Sequence, residues 1–224
     1  MFHATAISPN QPHAETRAED LASSITHGIG LALGVAGVAV MVTLAALRGG
    51  AIHVVTVGLF GAAILLVYLS STLYHACRGT RYERGLRVLD HTAIYALIAG
   101  SYTPFLLVLI RGGWGWSLFG VLWGLTAAGG AFKLFFVHRF AGVSTAIYVA
   151  MGWMGVIALG PILTHLSGGA LGWIAAGGLA YTAGVAFFVW DRLPFNHAIW
   201  HLFVMAGTAC HFFAVLLYVV PTRG

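Results

Sequence analysis

Hydrophobic residues run through this chain in long blocks, not in alternation. Apolar stretches occupy residues 22–47, 51–76, 87–110, 115–136, 140–163, 169–190 and 196–220. Most exceed the ~18 residues that mark a spanning helix, and none has the period-2 pattern of a membrane barrel strand. Each block therefore predicts a helix. A crossing takes ~20 residues, so seven helices and their turns use nearly the whole chain and leave no room for a soluble domain. The pattern predicts an all-α integral membrane protein, with a short tail over 1–20 and a seven-transmembrane helix bundle over 21–220.

Composition excludes the alternatives. Of the 224 residues, 59% are hydrophobic and only 8% charged, against roughly 25% charged in an ordinary soluble domain. Mean hydropathy is +0.89, and a chain this apolar cannot cover a water-facing surface. The polar tail holds Pro9, Pro12, Glu15, Arg17, Glu19 and Asp20 without a basic n-region, and the apolar run behind it is too long for a signal-peptide core. It reads as a retained, mobile cytoplasmic tail. Cys77 closes the second block and Cys210 lies midway along the last. Their depths differ by more than the ~7 Å Cα limit of a disulfide, which predicts two free thiols.

Charge sets the orientation. With the N-terminus inside, cytoplasmic segments hold Arg17, Arg78, Arg81, Arg84, Arg87, Lys133, Arg139 and Arg192, and outer segments hold Arg48, Arg111 and Arg223. Basic residues collect on the cytoplasmic side, so the N-terminus is expected inside and the C-terminus outside, in a multi-pass protein of the inner (plasma) membrane. The pI near 9.6 then reflects topology and not a nucleic-acid partner. Gly30 with Gly34, and Gly120 with Gly124, have the four-residue spacing that lets membrane helices approach closely. Pro104 should kink the third helix.

The candidate chemistry appears once depth is assigned. His75 ends the second block, Asp90 lies in the first turn of the third, and His197 and His201 lie in the first two turns of the seventh, so all meet in one leaflet. "HAIWH" puts two imidazoles about 40° apart on one helix face, and "STLYH" does the same for Ser71 and His75. Three neutral imidazoles with an open fourth position make a catalytic type of zinc site, with His75, His197 and His201 as ligands. Histidines are also tolerated at membrane interfaces, and i, i+4 pairs arise by chance among eleven of them, so spacing alone leaves a packing role open. A bis-histidine haem needs axial ligands on opposite sides of a ring, which one helix face does not supply. His211 reads as a hydrogen-bonded core residue, His91 as interfacial or supporting, and His3, His13, His53, His138 and His165 as nothing specific.

These stretches also carry a resemblance. "SSTLYH" followed by Asp90, together with "HAIWHLFVMAGTACHFFAV" in the last block, resembles the signature of the hemolysin III branch of the progestin and adipoQ receptor family, over about residues 19–220. The resemblance implies a seven-helix bundle and a zinc ion near the cytoplasmic face, held by His75, His197 and His201, with Asp90 contacting the zinc-bound water. A first family motif corresponds to Glu19, Ser23 and His27; serine stands where asparagine is usual, so the hydrogen bond of that amide is not carried over.

Zinc lowers the pKa of water to about 7. Asp90 would then take its proton and Ser71 would donate to the developing oxyanion, on an amide or ester of a membrane lipid. The family's likeness to alkaline ceramidases favours a lipid amide, and its bacterial members are associated with membrane-lipid homeostasis. A non-catalytic sensor or receptor with a structural zinc is the alternative reading. A cytolytic pore fits less well, because no block carries a continuous polar stripe. For the topology, an engineered cysteine at Gly112 is expected to react with an impermeant label from outside and one at Gly79 is not; the reverse pattern would invert the orientation.

Overall fold

Thr16 opens the first helix with a reciprocal pair of hydrogen bonds: its hydroxyl accepts from the Glu19 amide at 3.3 Å and the Glu19 carboxylate accepts from its own amide at 2.7 Å. This capping box starts α1 (Arg17–Arg48) five residues before the apolar block, so residues 17–20 are helix. The computed structural model describes residues 16–222; the remainder of the expected tail, residues 1–15, lies outside them.

Behind α1 come α2 (Ala51–Ala76), α3 (Glu83–Pro104), α4 (Gly112–Phe136), α5 (Ala141–Gly152), α6 (Leu159–His165), α7 (Gly168–Phe188) and α8 (Asn196–Tyr218). The helix of α3 continues through a π-helical turn over Phe105–Ile110, and a 3₁₀ turn over Met154–Ala158 joins α5 to α6 into one crossing. Among the described residues, seven spans are long and apolar enough to cross a membrane. The expected fold class is the observed one.

Two departures from regular helix have local causes. Pro104 lacks an amide hydrogen, and the α-helix gives way to the π-helical turn immediately after it, which is where the kink was expected. The break after Gly152 was not expected. There the Tyr102 hydroxyl of α3 inserts into the ladder, donating to the Gly152 carbonyl and accepting from the Gly155 amide at 3.1 Å. A side chain in the i→i−4 ladder is an ordinary way to break a helix.

α1, α2, α3 and α4 pack in sequence, α7 pairs with α8, and α8 closes back on α1. α3 with its π-helical turn is the axis and the most enclosed crossing, whereas α1 and the α5–α6 crossing are mostly exposed. Added Cβ atoms at Gly30 and Gly34 would come within 3.2 and 3.3 Å of Tyr68 and Ile64, so this pair does bring α1 onto α2. Gly120 and Gly124 meet nothing within 4 Å; the same spacing faces outward there, and the expectation of close packing fails. The tight α7–α8 contact instead uses Gly184 and Gly207, against Phe203 and Tyr181.

Cys77 and Cys210 are free thiols. His53, to which no role was given, is fully buried at the far end of the bundle. Its Nδ1 accepts from the Gly50 amide at 3.3 Å, and its Nε2 meets the Thr222 hydroxyl at 3.1 Å. Gly79 and Gly112 take φ of +75° and +58°, a region disfavoured for cysteine, so their exposed neighbours Thr80 and Gly113 are better label positions.

The glycine contacts can be tested directly. A Cβ at Gly184 would lie 2.6 Å from that of Phe203, an atom that moves only with its backbone. Gly184→Ala is expected to destabilise by about 1–3 kcal/mol, seen as a lower melting temperature in detergent, whereas Gly120→Ala leaves it unchanged or slightly raised. Equal melting temperatures would show that α7 and α8 are not in close contact.

Candidate metal centre

The antiparallel order of α1, α2, α3 and α8 brings the start of α1, the end of α2 and the starts of α3 and α8 to one end of the bundle. There His75, His197 and His201 each offer a ring nitrogen, and all three nitrogens lie within 4.8 Å of one another. The rings meet edge to face, with centroids 4.7–5.2 Å apart and planes at 62–76°, so they converge on a point instead of stacking.

In His201 and His75 the outer nitrogen is held by an acceptor. His201 Nδ1 lies 3.2 Å from the Ser23 carbonyl, which can only accept, so Nδ1 carries the hydrogen and Nε2 keeps its lone pair. His75 Nδ1 lies 3.1 Å from Asp20 Oδ1 and is fixed the same way. That leaves His75 Nε2 buried without a hydrogen-bond partner. A carboxylate or carbonyl behind a histidine, with the inner nitrogen bare, is how protein metal sites orient their ligands. The donor set and the orphaned nitrogen fit a divalent transition metal.

The residues of α1 each reach α8 or α2. Glu19 Oε1 accepts the Phe195 amide at 2.8 Å, tying down the residue before α8, which sits at φ +59°. Ser23 contributes its carbonyl to His201, an atom that serine and asparagine share. His27 stacks on His201 at 3.5 Å between centroids. Glu19, Ser23 and His27 are all buried, and their four-residue spacing makes them one stripe along the first two turns of α8.

Ser71 and Asp90 are both buried here. The Ser71 hydroxyl lies 3.4 Å from His201 Nε2 and neighbours the Asp90 carboxyl. Both border a cavity of about 120 Å³ that also touches His27, His197 and His201. It follows α3 from Asp90 to Tyr102, about 18 Å at 1.5 Å per residue, between walls from α5, α7 and α8. His91 and Lys133 border it, as does His211, whose Nε2 lies 3.3 Å from the Ile174 carbonyl as expected of a hydrogen-bonded core residue.

Asp20, placed in the tail from the sequence, is a further candidate site residue. It accepts from both His75 and the Arg78 guanidinium, the latter at 2.9 Å. Its signal was present: T-x-x-E before an apolar run marks a helix start, which carries Asp20 into the bundle. Arg78 is thereby more than a topology determinant, and so is Arg87, which binds Glu83 at 3.0 Å and the Tyr74 hydroxyl at 2.9 Å.

Comparison with known proteins places this geometry in context. The model of the haemolysin-III-related family matches residues 16–212. Hemolysin-3 of Bacillus cereus is 46% identical over 204 residues, covering 91% of this chain and 93% of the relative. A hemolysin-3 homolog of Bacillus subtilis is 44% identical over 202 residues, covering 90% and 95%. The human monocyte to macrophage differentiation factor is 32% identical over 178 residues, covering 75% and 73%.

Removing the acceptor behind His75 tests the support shell. Asp20→Asn is expected to weaken metal binding roughly 10- to 100-fold, measured by competition with a chelator. Unchanged affinity would separate Asp20 from the site.

Proposed function

The chain belongs to the haemolysin-III-related family, and we propose that it is a zinc-dependent hydrolase of membrane-lipid amides or esters. It is a multi-pass membrane protein, and its bacterial relatives favour the plasma membrane as its location. The observation that carries the proposal is that two of the three clustered imidazoles, His197 and His201, border one largely apolar cavity together with a buried carboxyl and a hydroxyl.

His75, His197 and His201 would hold the ion. Zinc in such a site supplies Lewis acidity, polarising a carbonyl and lowering the pKa of water to about 7. Three protein donors, with no fourth His, Cys, Asp or Glu in the group among the described residues, match catalytic zinc sites better than closed structural ones. This favours the hydrolase over a sensor with a structural zinc.

The protein's own groups supply the rest. Asp90 accepts the proton of the attacking water and returns it to the leaving amine or alcohol. Ser71 donates a hydrogen bond where negative charge develops on the carbonyl oxygen. The apolar walls along α3 take the acyl chain and exclude bulk water, which strengthens both interactions. α5 touches α3 and α7 only lightly, giving a lipid a lateral way in. With the N-terminus inside, as the basic residues indicate, the reaction takes place in the cytoplasmic leaflet.

Asp90→Asn separates chemistry from metal binding. Purified protein is expected to hold close to one zinc per chain by elemental analysis, and Asp90→Asn to retain it while losing 10²- to 10⁴-fold in fatty-acid release. A double His197→Ala, His201→Ala variant should lose both. Wild-type protein that carries zinc in reconstituted bilayers yet releases no fatty acid from any lipid amide or ester would return the site to a sensor role.

A further inference from the structure

Lys133 is 2% exposed in the last turn of a membrane helix, where a lysine ordinarily snorkels its ammonium to the interface. Its position follows from how α4 lies on α3. The Thr126 hydroxyl donates to the Tyr95 carbonyl at 3.2 Å. A Cβ at Gly129 would come within 2.6 Å of the Tyr95 ring. One turn further towards the metal end, Lys133 on α4 and His91 on α3 come opposite each other, since the helices run antiparallel. Both border the cavity.

The neighbouring basic side chains are paired: Arg78 with Asp20 and Arg87 with Glu83. Lys133 makes no ion pair among the described residues, and His91 Nδ1 is buried without a hydrogen-bond partner. A cation that lines a cavity within a membrane helix and has no counter-charge is costly, and a ligand that brings negative charge relieves that cost. Asp90 and His91 are consecutive on α3, so the carboxyl beside the metal-binding histidines and the imidazole beside Lys133 occupy adjacent faces of one turn. The two stations lie side by side across the width of a helix.

We propose that Lys133, with His91, binds the phosphate of an anionic lipid headgroup, so that the cavity selects phosphate-bearing over neutral lipids. This rests on the reading of the cavity as a lipid site. A lipid whose carbonyl lies at the histidines and whose chain follows α3 towards Tyr102 has its headgroup at the helix ends, the level of Lys133. A phosphate offers enough acceptor oxygens to engage the ammonium and the imidazole together.

The test is equilibrium binding to the full-length, zinc-loaded protein in detergent, read by the fluorescence of Trp153 and Trp200, which border the cavity. The probes share one oleoyl chain: lysophosphatidic acid, monoolein and oleate, with inorganic phosphate as competitor. Wild type is expected to bind lysophosphatidic acid about 10- to 100-fold more tightly than monoolein. Lys133→Gln and Lys133→Met should bring the two within about threefold, and Lys133→Arg should keep the preference. Circular dichroism and zinc content identify variants that fold. No preference in wild type, or one that survives in the glutamine and methionine variants, overturns the proposal. Oleate binding as tightly as lysophosphatidic acid would make the ligand a carboxylate, and displacement by equimolar inorganic phosphate would make it a free anion; both overturn it. Because the readout is binding, a failure to hydrolyse any lipid sinks the hydrolase reading and leaves the phosphate preference standing, whereas cleavage of lipids without that preference sinks the role of Lys133 alone.

Discussion

Polar groups buried in a membrane protein cannot fall back on water, and each one left unsatisfied costs several kcal/mol. In this bundle the constraint acts at one end. His27, His75 and His201, Glu19, Ser71 and Asp90 are all buried there, and the helices that carry them are arranged so that most find partners. α8 closes on α1 along the stripe of Glu19, Ser23 and His27, and α2 reaches α1 through His75, Arg78 and Asp20. Left unpartnered are His75 Nε2, which faces two other imidazoles, and both ring nitrogens of His27, which stacks on His201. The His75, His197 and His201 nitrogens so oriented form a group that could hold a metal ion.

The same packing creates the cavity. α3 sits at the centre and presents Asp90 to the metal end, Tyr102 to the broken crossing of α5 and α6, and Tyr95 to the glycines of α4. Tyr102 takes hydrogen bonds out of the α5 ladder, and the Tyr148 hydroxyl returns one to the His91 carbonyl at 2.9 Å. α5 is thus bolted to α3 at two levels and otherwise stands off. The gap along α3 arises from a few tyrosine contacts that replace continuous helix packing.

Those tyrosine contacts also mark where sequence reasoning stops. Spans, fold class and the clustering of His75, His197 and His201 were legible because they rest on short-range rules: ~20 apolar residues per crossing, antiparallel alternation of consecutive helices, and four-residue spacing that puts two side chains on one face. Depth follows from those rules, so His75, Asp90, His197 and His201 could be placed in one layer without any structure. The motif T-x-x-E at 16–19 was equally local and would have moved Asp20 from tail to helix.

Rotation about the helix axis is what depth does not supply, and only the packed bundle decides it. Gly30 with Gly34 and Gly120 with Gly124 have identical spacing, yet one pair touches α2 and the other faces nothing, because which side of a hydrophobic helix turns inward depends on its neighbours when every side is apolar. The partners of Asp20, 55 and 58 residues away, the stacking of His27 on His201, and the enclosure of Lys133 opposite His91 are of the same kind. The sequence by itself determined the number of helices, their order and the level of each chemical group. The tertiary structure decided which groups at a given level face one another, since in a chain this uniformly apolar the hydrophobic pattern carries length but almost no direction.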